Sequence, residues 1–183
     1  MTVSTDLDRR FREAAAAAGL VDVAYDVADS PVGELLLAAT DRGLCRISFT
    51  PEAALEDVAR SFGLRVLRVP RRLDPARRQL DEYFAGGRSS FDLPVDLAPL
   101  GEFQRLVLGE LARVPFGEVT TYGALAGRIG RPRAARAVGG ALNRNPVPIV
   151  LPCHRVVGAS GSLVGYAGGL ERKRALLALE GGA

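Results

Sequence analysis

Residues 145–156 read NPVPIVLPCHRV and contain the only histidine of the chain, directly after one of its two cysteines. Three prolines bracket an apolar run, which predicts a rigid, buried loop. A thiol attacks only as the thiolate, and a neighbouring base can supply that form. We therefore interpret Cys153 as a nucleophile and His154 as its base. A structural cysteine beside a satisfied core histidine is the alternative.

The base of such a pair needs an acceptor that orients its ring. Adjacent side chains often point apart, so we expect His154 to act on Cys153 through a water molecule. Two acidic residues of the predicted C-terminal helix are candidates for the acceptor, Glu171 and Glu180. The residues alone leave both open.

Two short helices are predicted directly before this loop. Thr121 is placed to cap a helix over 122–129, and Gly130 ends that helix. Pro132 then begins a second helix that extends to about Arg144.

The second helix is predicted to have one apolar face and one basic face. At about 100° per residue, one side of the wheel holds Ala135, Val138 and Leu142. The other side holds Arg133, Arg136, Gly140 and Arg144, flanked by Ala137 and Ala141. A helix, a tight turn and a basic helix are typical of a helix-turn-helix that reads DNA. A helical hairpin with an incidental basic face is the alternative.

The charge distribution favours the same region as a nucleic-acid surface. The net charge of +3 divides into −3 over residues 1–99 and +6 over residues 100–183. Residues 119–170 include no acidic residue but six arginines, namely Arg128, Arg131, Arg133, Arg136, Arg144 and Arg155. Such a field suits a phosphate backbone. A solvated basic face is the alternative.

The N-terminal half is predicted to be α+β. Apolar and polar residues alternate over 21–28, which indicates a half-buried strand. Further predicted strands are 35–39 and 44–49, a hairpin around Gly43, and 64–69. Predicted helices are 5–18, 52–62 and 74–84, the last with Pro75 at its first position. We expect a small antiparallel sheet with helices against it, followed by a linker over 92–99 and a mostly helical half that begins with a helix over 101–113.

Composition bounds the class of protein. The chain is 48% hydrophobic and 25% charged, which is ordinary for a globular protein. No apolar run approaches the ~18 residues of a membrane span, and the polar N-terminus does not resemble a secretory signal. Cys45 and Cys153 make no disulfide framework, so we expect a cytoplasmic protein without membrane association. Cys45 is interpreted as a small buried hydrophobe that cannot anchor zinc by itself.

The run Pro152-Cys153-His154-Arg155-Val156 resembles the active segment of the O6-alkylguanine-DNA alkyltransferases. The resemblance covers roughly residues 21–182. Matching segments before the loop are Ser30-Pro31-Val32-Gly33, Gly43-Leu44, Phe103-Gln104, Gly117-Glu118-Val119, Thr121-Tyr122-Gly123, Leu125-Ala126, Ala135-Arg136-Ala137-Val138-Gly139 and Asn145-Pro146. Those after it are Gly165-Tyr166-Ala167-Gly168-Gly169, Lys173, Leu176-Leu177 and Glu180-Gly181. It implies a ribonuclease H-like domain over 21–98 and a winged helix-turn-helix-like domain over 99–183 that carries the active-site loop. Residues 1–20, which hold the first predicted helix, are expected to be a helical extension.

The resemblance also implies roles. Cys153 would accept the alkyl group from O6 of a flipped guanine, and His154 would activate it through a water, oriented by Glu180. Asn145 would fix the active-site turn, and Tyr122 would hydrogen-bond the guanine. Arg136 would fill the gap in the base stack. Pro148, Tyr166 and the backbone of Ala167 would line the pocket. Thr121, Arg133 and Val156 complete the predicted set of DNA- and substrate-binding residues. The expected partner is duplex DNA with O6-alkylguanine, bound by a monomer that needs no cofactor, metal or protein partner.

Two features depart from relatives. Some of them have a serine at the position of Ala167, where only the backbone N–H could serve here. Some hold zinc in the N-terminal domain through cysteines and histidines that this chain lacks, so we expect no metal. A lesion-binding relative that does not react is one alternative function, although Cys153 argues against it. A Cys-His hydrolase is the other.

Overall fold

A computed structural model describes residues 4–181 of the chain, which form two compact units. Unit 1 comprises residues 4–80 and 93–96, and unit 2 comprises residues 81–92 and 97–181. The ends of the predicted segments 1–20 and 99–183, residues 1–3 and 182–183, lie outside the described residues. Within residues 4–181, no helix combines the length and the apolar character that crossing a membrane requires.

Unit 1 begins with a capped helix and continues with a sheet and two more helices. Its helices are α1 (Thr5–Ala17), α2 (Pro51–Phe62) and α3 (Asp74–Phe84), the last of which continues into unit 2. Its strands are β1 (Val23–Ala28), β2 (Leu35–Thr40), β3 (Gly43–Ser48) and β4 (Val66–Arg68). The predicted bounds of α3 are confirmed, and those of the other elements agree within about two residues at each end.

The prediction of a purely antiparallel sheet is wrong in one pairing. The strand order is β3-β2-β1-β4, in which β1 and β2 and then β2 and β3 are antiparallel, whereas β1 and β4 are parallel. Helix α2 is the reason. This helix lies between β3 and β4 in the chain and carries the chain back to the end of the sheet at which β3 began. Strand β4 therefore runs in the direction of β3 and of β1.

The core of unit 1 lies between the sheet and α2. Val23, Ala38, Cys45 and Val58 form a buried cluster, against which other apolar side chains of β1, α2 and β4 pack. Cys45 is a buried free thiol that donates to the carbonyl oxygen of Ala38, as expected of a structural cysteine.

The segment predicted as a linker is partly tied to unit 1. The amide of Leu44 donates to the carbonyl oxygen of Pro94, and the amide of Asp96 donates to that of Leu44. The buried Asp96 carboxylate accepts hydrogen bonds from Thr40 at 2.6 Å and from Arg42 at 3.0 Å. A Cβ at Gly43 would lie 2.3 Å from the Pro94 carbonyl oxygen, so this close approach requires glycine.

Unit 2 is mostly helical, as predicted. Its helices are α4 (Glu102–Leu111), α5 (Tyr122–Arg128), α6 (Ala135–Asn143) and α7 (Leu170–Leu179). Two short strands, β5 (Thr120–Thr121) and β6 (Val156–Val157), pair in parallel. The Thr121 side chain accepts from the amide of Ala124 at 3.1 Å, which confirms its predicted cap of α5.

Helix α6 begins later than the sequence predicted. The amide of Ala134 donates to the carbonyl oxygen of Arg131, which closes a turn with Pro132 and Arg133 at its centre. Proline is favoured at the second position of such a turn, so its fixed φ serves the turn here and not a helix start. Arg133 therefore precedes the helix. Ala141, predicted beside the basic face, is buried with Val138.

Candidate active site

The loop between α6 and β6 is held by its own asparagine. The Asn145 side chain donates to the carbonyl oxygen of Leu151 at 2.8 Å and accepts from the amide of Val147 at 3.1 Å. The amide of Leu151 donates to the carbonyl oxygen of Val147. Buried Ile149 has a φ of 75°, a left-handed conformation that is strained for a β-branched residue. The loop is therefore fixed by hydrogen bonds that outweigh this local strain.

Cys153 begins the short 3-10 helix that ends the loop. The residue is 7% exposed, and its thiol accepts a hydrogen bond from the Asn145 side-chain amide at 3.2 Å. Burial raises the pKa of Cys153 to about 11, although the Asn145 hydrogen bond acts in the opposite direction. The thiol is thus protonated at neutral pH and needs a base to become a nucleophile.

His154 is fully buried beside the thiol. Its Nε2 lies 2.9 Å from Oε1 of Glu180, which indicates that Nε2 carries the proton. Its Nδ1 has no hydrogen-bond partner among the described residues, and no hydrogen bond of residues 4–181 joins this ring to the Cys153 thiol. Burial lowers the pKa of His154 even though Glu180 acts to raise it. The ring is therefore a neutral base whose Nδ1 can accept a proton.

Glu180 gathers donors from three other residues of unit 2. Arg155 binds it with two nitrogens, Nε to Oε2 at 2.8 Å and an amino group to Oε1 at 2.9 Å. The Tyr83 hydroxyl donates to Oε1 at 2.7 Å, and the amide of Gly117 approaches Oε2 at 3.4 Å. Burial acts to raise the pKa of Glu180, but the hydrogen bonds from His154 and Arg155 outweigh it and lower the pKa to about 2. Glu180 is thus a carboxylate at every physiological pH.

Of the two acceptors that the sequence left open, the geometry selects Glu180. Glu171 is exposed and forms an ion pair with Arg174, one turn along α7. Arg155 was predicted to contribute to the DNA-facing charge, and this is wrong. Its guanidinium is buried, paired with Glu180 and bonded to the carbonyl oxygen of Val114 at 2.6 Å.

A second buried cation lies near the thiol. Lys173 is fully buried and donates to the carbonyl oxygens of Val156 at 2.6 Å and Val164 at 2.9 Å. Burial lowers the pKa of Lys173, and Cys153 acts to raise it. The ammonium therefore connects β6 to the chain that precedes α7 and favours the thiolate electrostatically.

A cavity of about 500 Å³ opens over Cys153. It is lined by Tyr122, Cys153, Tyr166, Ala167, Arg136 and several small or apolar residues of α6 and the 164–165 segment. The Tyr122 hydroxyl, at the cavity wall, donates to the carbonyl oxygens of Val164 at 3.0 Å and Gly165 at 3.3 Å. The volume and the mixed polar and apolar lining are suited to one planar heterocycle.

Not every predicted site residue lies at this cavity. Pro148 and Val156 are buried, Pro148 in the loop and Val156 in β6, and neither is among the described residues that line the cavity. The predicted lining role of Pro148 is therefore not supported, because the loop turns its apolar run into the core. Arg136 is exposed at the cavity, whereas Arg133 lies in the turn before α6.

The sequence interpretation missed the contribution of Tyr83 and the site roles of Arg155 and Lys173. Lys173 and Arg155 were within matched motifs, but neither motif indicated burial against the site. Tyr83 is 70 residues from Cys153 in the chain, and no local pattern indicates its contact with Glu180. Among residues 4–181, no three His, Cys, Asp or Glu side chains lie close enough together to hold a metal ion.

Two family profiles match this chain. Residues 23–97 match the 6-O-methylguanine DNA methyltransferase, ribonuclease-like domain, and residues 102–182 match the DNA-binding domain of the same family. The methylated-DNA–protein-cysteine methyltransferase of Methanosarcina acetivorans is 47% identical over 158 residues, which are 86% of this chain and 97% of that protein. The protein of the same name from Mycolicibacterium paratuberculosis is 46% identical over 86% of this chain and 92% of its own.

Solved structures show the same fold. The crystal structure of Mycobacterium tuberculosis O6-methylguanine methyltransferase matches with a TM-score of 0.77 at 42% identity, covering 87% of this chain and 93% of that one. Mycobacterium tuberculosis OGT in complex with DNA also matches with a TM-score of 0.77 at 42% identity, covering 86% and 92%. The predicted fold class, an α+β ribonuclease-like part followed by a helical DNA-binding part, is confirmed. With matched profiles over most of its length and relatives of this identity, the chain belongs to the 6-O-methylguanine DNA methyltransferase family.

Proposed function

We propose that this protein repairs DNA by direct reversal, moving the alkyl group from O6 of guanine in duplex DNA to the sulfur of Cys153. The observation that carries the proposal is the buried Cys153–His154–Glu180 arrangement, whose Cys153 lines a cavity that a base can enter. The names of the most similar relatives and the match to a DNA-bound structure support the same reaction. O4-alkylthymine, which presents the same alkyl–oxygen bond, is a second substrate.

The chemistry begins with the thiol proton. His154 Nδ1 takes it through a bridging water, and Glu180 holds the Nε2 proton so that Nδ1 stays available. The thiolate, favoured by the Asn145 amide and the Lys173 ammonium, attacks the alkyl carbon. A carbon–sulfur bond forms as the carbon–oxygen bond breaks, and the electron pair of that bond stays on the guanine.

Tyr122 stabilises the departing base. Its hydroxyl, at the cavity wall, donates to two carbonyl oxygens, and it turns to donate to a base that enters. A donated hydrogen bond strengthens as negative charge develops on the guanine, which then recovers a proton and leaves as the repaired base. Tyr166 and the backbone of Ala167, also at the cavity, complete the contacts with the base.

The alkylated base reaches the cavity by leaving the duplex. O6 is inaccessible to a buried thiol while the base is stacked, so flipping precedes transfer. Arg136 is exposed beside the cavity and is placed to fill the gap that the flipped base leaves. Thr121 and Arg133, together with the arginines of residues 128–144, supply contacts with phosphates.

The thioether formed on Cys153 does not hydrolyse in water at neutral pH, so each protein molecule reacts once. The decisive experiment is the intact mass of the protein before and after incubation with a duplex that contains one O6-methylguanine. We expect the mass of one methylene unit to be added, located on Cys153, with loss of activity in proportion. Cys153→Ser should still bind the duplex but gain no mass. Several turnovers per molecule, or methylation of the serine variant, would refute the assignment.

A further inference from the structure

Tyr83 is the residue of the site that lies furthest from it in the chain. It is the tenth residue of α3 and falls in unit 2, where it is fully buried. Its ring packs edge-on against Phe116 at 6.1 Å and Phe84 at 5.3 Å between centroids, and against Phe91 at 5.3 Å. Three aromatic neighbours therefore fix the direction of its hydroxyl, which donates to Oε1 of Glu180 at 2.7 Å.

This hydrogen bond shares its acceptor with the imidazole. Oε1 of Glu180 receives donors from Tyr83, from His154 Nε2 and from an amino group of Arg155, at 2.7 to 2.9 Å. Burial raises the pKa of Tyr83 far above its ordinary value, and the hydrogen bond to Glu180 acts in the same direction. Tyr83 is thus a permanent donor, and the negative charge of Oε1 is divided among three protons.

A carboxylate beside an imidazole has two effects, and they conflict in this reaction. It orients the ring and selects the tautomer, which the base needs, but it also stabilises the imidazolium, which removes the base. Other groups that donate hydrogen bonds to the carboxylate weaken its stabilisation of the imidazolium, while the carboxylate still orients the ring. We propose that Tyr83 is a positioning residue for alkyl transfer, holding Glu180 so that it orients His154 while the imidazole stays unprotonated. The inference rests on the proposed function.

The other groups around His154 act consistently with this role. Arg155 and Lys173 are cations that disfavour a protonated ring, Glu180 favours it, and Cys153 is a neutral thiol before it is activated. Glu180 is thus the one anion that faces the ring among the described residues, so the donors that it accepts decide how strongly it attracts a proton. The net effect of these groups with burial is to lower the pKa of His154.

The test uses the fact that His154 is the only histidine of the chain. In untagged, 15N-labelled protein, the imidazole resonances report its tautomer and its titration without overlap. We expect the Nε2–H tautomer in the wild type and in Tyr83→Phe, which removes only the hydroxyl. In Tyr83→Phe, we expect the titration of His154 to move to higher pH by about one unit, which is the size of the effect of one hydrogen bond to a charged group. Tyr25→Phe, the same change in β1 of unit 1, is the control and should titrate as the wild type does.

The rate of a single transfer provides the functional measurement. The acid limb of its pH profile should move to higher pH in Tyr83→Phe, with a smaller loss on the alkaline side. A purely structural role would instead lower the rate by the same factor at every pH. An unmoved or lowered His154 titration in Tyr83→Phe would overturn the proposal. A wild type that transfers no alkyl group would refute the proposed function and leave the titration result standing.

A second measurement covers the case in which Tyr83→Phe does not fold. Biosynthetic 3-fluorotyrosine replaces the four tyrosines of the chain with a stronger donor. The His154 titration should then move to lower pH, opposite to the effect of deleting the hydroxyl. A shift to higher pH, or none, would contradict the proposal.

Discussion

Replacing Glu180 by glutamine tests how much the buried donor cluster contributes to stability. In the wild type, the carboxylate accepts from His154, Arg155 and Tyr83, and its side chain is fully buried. Glutamine keeps the shape but loses the charge, and its amide group presents protons to side chains that are themselves donors. The buried Arg155 guanidinium is then left without a counter-charge.

Two independent routes give the size of the loss. Against the effect of burial, the hydrogen bonds from His154 and Arg155 lower the pKa of Glu180 from 4.5 to about 2. Each tenfold difference in proton affinity is worth about 1.4 kcal/mol, so ionised Glu180 stabilises the fold by about 3 kcal/mol at pH 7. Removing one partner of a buried ion pair costs about 3–5 kcal/mol. Both routes predict a loss of about 3–5 kcal/mol, or about 6–20 °C in the midpoint of thermal unfolding.

The lowered pKa of Glu180 determines how the stability difference between the wild type and Glu180→Gln changes with pH. A carboxyl group that is more acidic when folded stabilises the fold above its unfolded pKa, and this contribution disappears as the pH falls through its folded pKa. The advantage of the wild type over Glu180→Gln should therefore be complete above about pH 5 and decline between 4.5 and about 2.

Urea unfolding at several pH values measures these differences. Glu171→Gln, an exposed position in the first turn of the helix that Glu180 follows, is the matched control and should cost under about 1 kcal/mol. The double variant Glu180→Gln with Arg155→Met, which removes both charges, should recover part of the loss. A cost below about 1 kcal/mol for Glu180→Gln, or no recovery in the double variant, would refute this account of the cluster.

Three further predictions concern DNA and the thiol. Arg136→Ala should slow transfer from duplex at least about tenfold while barely affecting transfer from free O6-alkylguanine base, because only the duplex requires a base to be flipped. Transfer rates on both substrates check this, with Arg113→Ala, at an exposed position, as the control. Equal losses on both substrates would contradict it. Duplex affinity should fall steeply between 50 and 200 mM salt, as release of counterions from several phosphates requires, and a flat titration would exclude the basic surface as the binding site. Lys173→Met should remove the ammonium that donates to the carbonyls of Val156 and Val164, and cost about 1–3 kcal/mol in urea unfolding. It should also raise the pKa of Cys153 in thiol-alkylation kinetics, and an unchanged thiol pKa would separate Lys173 from the nucleophile.

The sequence by itself determined the elements whose causes are local. Thr121 caps α5 because its hydroxyl oxygen meets an amide three residues away. Helix α3 begins at Asp74 with Pro75 in its first turn, where a missing amide proton has no consequence. The hairpin of β2 and β3 follows from two apolar runs around Asp41 and Arg42. In each case the interacting groups lie within a few residues of one another.

The candidate site also has features that neighbouring residues in the chain predict and features that only packing decides. A thiol and an imidazole in one rigid loop could be recognised from adjacent residues, and the acid-free arginine run indicated a surface for phosphates. The sequence placed Arg155 in that run, but burial against Glu180 withdrew it from the surface. Charge counted along a chain records which residues are present and not which of them solvent reaches.

Only the tertiary structure decided the contacts that join distant segments. It made β4 parallel to β1, because α2 carries the chain from the end of β3 back to the end of the sheet at which β3 began. It selected Glu180, directly after the last residue of α7, over Glu171 in its first turn, because the two differ in burial. It also brought the Tyr83 hydroxyl to that carboxylate across 97 residues of sequence. Periodicity and capping act over one or two turns of backbone, whereas the partners of a buried charge are set by how the elements pack.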